Sequence, residues 1–216
     1  MTQILYSYIH KENHEYLLQN IALDFPVQFY KKILRYRRWQ DAQLSLLGRV
    51  LLDKGCRNIN KEINQEKIQY TAYGKPYIEE GGVKFNISHS GNMVVCVVTE
   101  DCEVGVDIEV IRDVDICDFK SQMTTFEWQR IVSSQDSRNS FFEYWTQKEA
   151  VIKAHGMGLS IPLKSFEIDN NQTNIEGVDF FTKEVDIDDG YRCYLAFDDQ
   201  ETMLGMRYNM INVDEY

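Results

Sequence analysis

The chain begins with an apolar run, Ile4 to Ile9, in which tyrosines fall on alternate positions, the period of a β-strand. Asp24-Phe25-Pro26 then reads as a helix start, with a capping acid and a proline in the first turn. Phe29, Ile33, Tyr36, Leu44, Leu47, Val50 and Leu51 follow at helical spacing up to Gly55, with a break near Trp39–Asp41. From residue 83 the period changes to two. Val83 to Ile87, Met93 to Thr99 and Glu103 to Val110 read as strands, the first two joined by a turn at Ser90-Gly91-Asn92. Thr124-x-x-Glu127 is a capping box opening a short helix, and a longer helix covers about 138–155, stopped by Gly156. Strand-like runs recur at Phe166–Ile168, Phe180–Val185, Tyr191–Phe197 and Thr202–Tyr208.

Each half therefore reads as helix followed by strands. The pattern permits an α+β fold made of a pseudo-symmetric pair of lobes, residues 1–105 and 106–216.

Charge sharpens this division. Of a formal net charge of -11 over 216 residues, residues 1–105 carry 13 basic and 12 acidic side chains, and residues 106–216 carry 10 and 22. Such an acidic chain is a poor general binder of nucleic acid or anionic membrane. Yet Lys31, Lys32, Arg35, Arg37 and Arg38 lie within eight positions of the near-neutral half, either a solvated helix face or an anion site. Five cysteines without a C-x-x-C pair, among apolar neighbours, read as reduced and mostly buried thiols. With no signal-like N-terminus and no run of about 18 apolar residues, the expected compartment is the cytoplasm.

Three segments carry candidate chemistry. In Val104-Gly-Val-Asp107-Ile-Glu109 the two acids share one strand face while Val106, Ile108 and Val110 anchor the other. Paired carboxylates repel unless a cation lies between them, and hard oxygen ligands suit Mg²⁺; a solvated edge strand fits the same pattern. In Trp145-Thr-Gln-Lys148-Glu149-Ala-Val-Ile-Lys153, Glu149 and Lys153 are helix neighbours, either a surface ion pair or a third metal acid beside a phosphate-facing lysine. In Gly74-Lys75-Pro76 and Asn86-Ile-Ser88-His89-Ser90, His89 is a candidate hydrogen-bond donor to a phosphate and Lys75 a candidate charge beside it, although a lone histidine is more often structural.

In this order and spacing, from about residue 73 to 163, the segments resemble the Sfp-type 4'-phosphopantetheinyl transferases. Phe126-Glu127 and Gly156-x-Gly158-Leu159 belong to the same matching run. The resemblance implies a pseudo-twofold α+β fold of two similar lobes, with the active site, and coenzyme A, in the cleft between them. The implied reaction is transfer of phosphopantetheine from coenzyme A to a serine of an apo acyl or peptidyl carrier protein, releasing 3',5'-ADP. It implies Asp107, Glu109 and Glu149 as Mg²⁺ ligands and Lys153 at the pyrophosphate. Lys75, Pro76, Ser88 and His89 match the adenine and 3'-phosphate positions, and Glu127 matches an acid that helps position or deprotonate the nucleophile. Ile108, between the two acids, cannot bind metal.

One departure stands out. Many relatives carry an arginine for the 3'-phosphate where this chain has Leu44, and Lys32, with Arg35 or Arg38, is expected to compensate. Two fused lobes imply a monomer. Carriers of this resemblance are usually acidic, which favours docking on the first lobe and away from residues 167–201. The same acids and lysine would also serve a Mg²⁺-dependent nucleotide or pyrophosphate hydrolase, or a non-catalytic coenzyme A or carrier binder.

Overall fold

The computed structural model describes residues 2–100, 102–205 and 208–212, with backbone alone for residues 205 and 208–212. Strand β1 (Thr2–Tyr8) leads into helical turns that include α1 (His14–Tyr16). Helices α2 (Val27–Ile33) and α3 (Trp39–Asn58) follow. Pro26 is the N-cap of α2, as its fixed φ and missing N–H suit. The expected break is real but lies earlier, over 34–38, inside the basic run. Short strands β2 (Gln69–Tyr70) and β3 (Pro76–Tyr77) form a separate ribbon. Then come β4 (Lys84–Ser90), β5 (Met93–Thr99) and β6 (Val104–Val110).

The second half contains α4 (Thr125–Ser133), α5 (Ser137–His155), β7 (Gln172–Ile175), β8 (Val178–Glu184) and β9 (Tyr191–Phe197). It closes with α6 (Gln200–Gly205) and β10 (Tyr208–Asn212). Two runs read as strands differ. Residues 166–168 lie in a loop before β7, and the run at 202–208 divides between α6 and β10.

Two four-stranded sheets result, ordered β10-β1-β5-β4 and β6-β9-β8-β7. The chain moves from one to the other between β5 and β6. It then returns, because β10 pairs in parallel with β1, so the first sheet contains a strand from the C-terminal half.

Strand β5 explains how the lobes join. It is buried along its whole length. Val94, Cys96 and Val98 face the core under α3, while Met93, Val95 and Val97 pack with Val104, Val106, Ile108 and Leu195 of the second sheet. A strand buried on both faces must be apolar throughout, which is why Met93–Thr99 shows no polar alternation. All five cysteines are free, and three of them, Cys56, Cys96 and Cys193, are buried. Among the described residues, no helix is long and apolar enough to cross a membrane.

Candidate active site

The seam between the lobes is built by β4, β6 and α5. Alternate side chains of β4 reach across it. Asn86 accepts from the Val106 N–H at 3.0 Å, Ser88 donates to Asp107 Oδ1 at 3.0 Å, and Ser90 donates to Glu109 Oε2 at 2.7 Å. The other face of the same strand, Phe85, Ile87 and His89, lines a separate pocket. The motif Asn-Ile-Ser-His-Ser thus addresses two places at once, because strand side chains alternate.

Gly105 brings α5 onto β6. A Cβ there would lie 2.1 Å from the Ala150 carbonyl oxygen and 2.4 Å from the Ala154 nitrogen, both helix backbone. Only glycine permits this approach. It carries Glu149 and Lys153 to the acids of β6. Lys153 Nζ donates to Asp107 Oδ1 at 2.5 Å and to Ser88 Oγ at 2.8 Å. Gly156, at φ 88°, ends α5 in the left-handed conformation its place in the sequence called for.

The acids feel one another. Burial, then the charge of Asp107, pushes Glu149 up to about 7, against partial relief from Lys153. Burial and the Asp107 charge also raise Glu109, while burial raises Asp107 despite Lys153. Asp107 is 4% exposed, and its Oδ2 is buried without a hydrogen-bond partner. Crowded, partly desolvated carboxylates with a free buried oxygen suit a hard divalent cation such as Mg²⁺. Among the described residues no three side chains are already gathered as a metal cage, since Lys153 and the serines occupy oxygens of Asp107 and Glu109.

The remaining site residues do not all meet here. Lys32, Pro76 and His89 line a cavity of about 360 Å³ together with Leu44, Arg49 and Tyr70. Lys75 instead lines a cavity of about 700 Å³ with Lys84, Glu103 and Met157, which shares Pro76 and Phe85 with the first. Its Nζ already donates to Glu103 at 3.0 Å and to the Ala154 carbonyl at 2.9 Å. Lys75 is therefore a tie from the first lobe to the end of α5, with its ammonium engaged. Of the cations expected to stand in for an arginine at Leu44, Lys32 reaches the pocket, while Arg35 and Arg38 are exposed outside its lining.

Glu127 departs furthest from expectation. It is fully buried, caps α4 through the Thr124 N–H at 2.9 Å, and accepts from the Ile168 N–H at 2.9 Å. It also pairs with Lys148 at 2.9 Å, and Lys148 donates to the carbonyls of Leu163 and Phe166. Both oxygens are committed within the second lobe. A carboxylate so enclosed holds the 163–168 loop to α4 and α5. Arg49, which also lines the smaller cavity, is not singled out by the sequence, because a single arginine on a helix face carries no motif.

Residues 13–101 match the family model for the N-terminal part of 4'-phosphopantetheinyl transferases, and residues 103–196 match that of the 4'-phosphopantetheinyl transferase superfamily. The chain is 32% identical over 205 residues to 4'-phosphopantetheinyl transferase gsp of Aneurinibacillus migulanus, covering 89% of this chain and 84% of that protein. The chain belongs to the 4'-phosphopantetheinyl transferase superfamily. It is also 30% identical over 174 residues to 4'-phosphopantetheinyl transferase Sfp of Bacillus subtilis, covering 75% and 77% of the two chains. A human relative, L-aminoadipate-semialdehyde dehydrogenase-phosphopantetheinyl transferase, is 30% identical over 154 residues, covering 63% of this chain and 50% of that protein. The boundary between the two family models falls between β5 and β6, where the transferase passes from one sheet to the other.

Proposed function

We propose that the seam transfers phosphopantetheine from coenzyme A to a serine hydroxyl of an apo carrier protein, yielding holo carrier protein and 3',5'-ADP. The observation that carries this reading is the convergence of Asp107, Glu109, Glu149 and Lys153 between the lobes, with Asp107 Oδ2 buried and unpartnered.

Asp107, Glu109 and Glu149 would hold Mg²⁺, which when bound supplies Lewis-acid neutralisation of the pyrophosphate oxygens. The serine oxygen forms a bond to the β-phosphorus of coenzyme A, and the bond from that phosphorus to the oxygen of the departing 3',5'-ADP breaks. Lys153 faces the charge that grows on the departing oxygen and donates a proton to it. Glu149, one turn earlier on α5, accepts the serine proton. Ser88 and Ser90 orient Asp107 and Glu109 from the opposite lobe.

Carrier docking falls on the first lobe, where Lys31, Arg35, Arg37 and Arg38 are exposed and attract an acidic partner. Incubation with coenzyme A, Mg²⁺ and a panel of apo carriers, read by intact mass, tests the reading. A phosphopantetheine mass gain on a carrier is expected. Release of 3',5'-ADP with no gain on any carrier would instead indicate a hydrolase.

A further inference from the structure

Strands β4 and β6 are each the last strand of their own sheet, and they meet across the seam without a backbone ladder. Side chains of β4 make the connection instead. The Val106 N–H donates to Asn86 Oδ1 at 3.0 Å, and the Val110 N–H donates to Ser90 Oγ at 3.2 Å. Both pairs are 20 residues apart, so the two strands run side by side in the same direction and in one register. An amide oxygen and a hydroxyl stand where a neighbouring strand would offer carbonyls.

The two pins differ. Ser90 Oγ also donates to Glu109 Oε2 at 2.7 Å, so its place depends on the acid it orients. Asn86 is 4% exposed and bonds to the backbone of β6, and among the described residues it bonds to none of the acids. A buried N–H left without an acceptor is costly, so the Val106 amide holds Asn86, and β4 with it, at one place along β6.

That register decides which carboxylate oxygens stay open. With Asn86 opposite Val106, Ser88 reaches Asp107 Oδ1 at 3.0 Å and Ser90 reaches Glu109, both pairs 19 residues apart. Ser88 and Lys153 together occupy Asp107 Oδ1 and leave Oδ2 buried without a partner. A strand advances about 3.3 Å per residue, so a slip of even a fraction of one residue would break both serine bonds.

We propose that Asn86 is a positioning residue for the metal site. By pinning β4 to β6 it sets Ser88 and Ser90 on Asp107 and Glu109, and so leaves the remaining carboxylate oxygens presented to Mg²⁺. The inference rests on the Mg²⁺ reading of the seam. Asn86 itself acts through the serines and holds neither metal nor substrate.

Two measurements on Asn86→Ala test this without turnover. One is Mg²⁺ calorimetry on chelator-stripped protein. The other is amide hydrogen exchange by NMR, with the amides of β5 as internal reference. Mg²⁺ should bind about tenfold more weakly, the low end of the loss when a ligand-orienting partner is removed. The Val106 amide should exchange faster, and so should the Val110 amide, which keeps its own acceptor. Loss of one local hydrogen bond would expose Val106 alone. Asn86→Ser, too short for the bond, should move both readouts in the same direction and serves if the alanine variant does not fold. Unchanged Mg²⁺ affinity, or a Val110 amide as protected as in wild type, would overturn the role of Asn86 and leave the Mg²⁺ reading standing. A wild-type protein with no saturable Mg²⁺ binding would overturn that reading and this inference with it.

Discussion

Lys153 Nζ, on α5, sits 2.5 Å from Asp107 Oδ1, on β6, and the same ammonium bonds Ser88 of the opposite lobe at 2.8 Å. One cation thus ties three elements together at the point where a pyrophosphate would be cleaved. Lys153→Ala is expected to reduce kcat by about 100- to 1,000-fold, the usual loss when one preorganised transition-state donor is removed. Asp107→Ala and Glu149→Ala should abolish carrier modification in folded protein. Steady-state kinetics on a responsive carrier, with circular dichroism to confirm folding, measures all three. A Lys153→Ala effect confined to the KM for coenzyme A would leave Lys153 a binding residue only.

The crowded acids predict a metal response that needs no turnover. Mg²⁺ should raise the thermal midpoint, by about 2.7 kcal/mol of stability at a hundred times its dissociation constant. Glu149→Gln should raise the metal-free midpoint, because it removes a charge repelled by Asp107 and Glu109, and should blunt the Mg²⁺ response. Differential scanning fluorimetry with and without chelator reads both changes. An unaltered Mg²⁺ response in this variant would remove Glu149 from the metal set.

Glu127 and Lys148 form a buried pair, so breaking it should register in stability. Glu127→Gln leaves Lys148 buried and uncompensated, a change that costs about 3–5 kcal/mol in such pairs. Urea unfolding should show that loss, while kcat per folded molecule stays within a few-fold of wild type. A fall in kcat of a hundredfold with stability unchanged would return Glu127 to the nucleophile.

Gly105→Ala tests the close approach of α5. Its Cβ would meet helix backbone, which cannot rotate aside. The strand and helix must separate, at a cost of about 1–3 kcal/mol or more. That separation also moves Glu149 and Lys153 away from Asp107. Stability and kcat should fall together, unlike in Lys153→Ala, where activity falls further than stability.

Glu103 gives the inter-lobe tie a pH signature. Burial raises its carboxyl, but hydrogen bonds and charge from Lys84 and Lys75 outweigh this and hold it below its ordinary 4.5. A depressed folded value stabilises above the unfolded value and is lost as pH falls through the folded one. The midpoint difference between wild type and Glu103→Gln should therefore be full above about pH 5 and shrink as the pH falls below 4.5. A difference constant from pH 6 to pH 3 would show that the ion pairs contribute nothing.

Local signals in the chain were read directly. The Thr124 and Glu127 capping box, the Gly156 stop and the strand alternation at Val104–Val110 each depend on residues within a turn or two, and each stands in the structure. The same alternation placed Asp107 and Glu109 on one face, and helical spacing placed Glu149 beside Lys153. Boundaries and partners at a distance were less legible. The break before α3 lies over 34–38, earlier than expected, and these residues include no glycine or proline that would have marked it.

Periodicity and capping report what one element does with its own neighbours, so they reached the elements, their faces and the candidate chemistry. Docking decided the rest. It sealed Glu127 against Lys148, returned β10 to β1, engaged Lys75 with the end of α5, and turned Arg49 into the pocket of Lys32 and His89. Each of these depends on which surfaces meet across long stretches of chain, and a side chain's charge or burial there is set by the partner it meets, which local sequence does not encode.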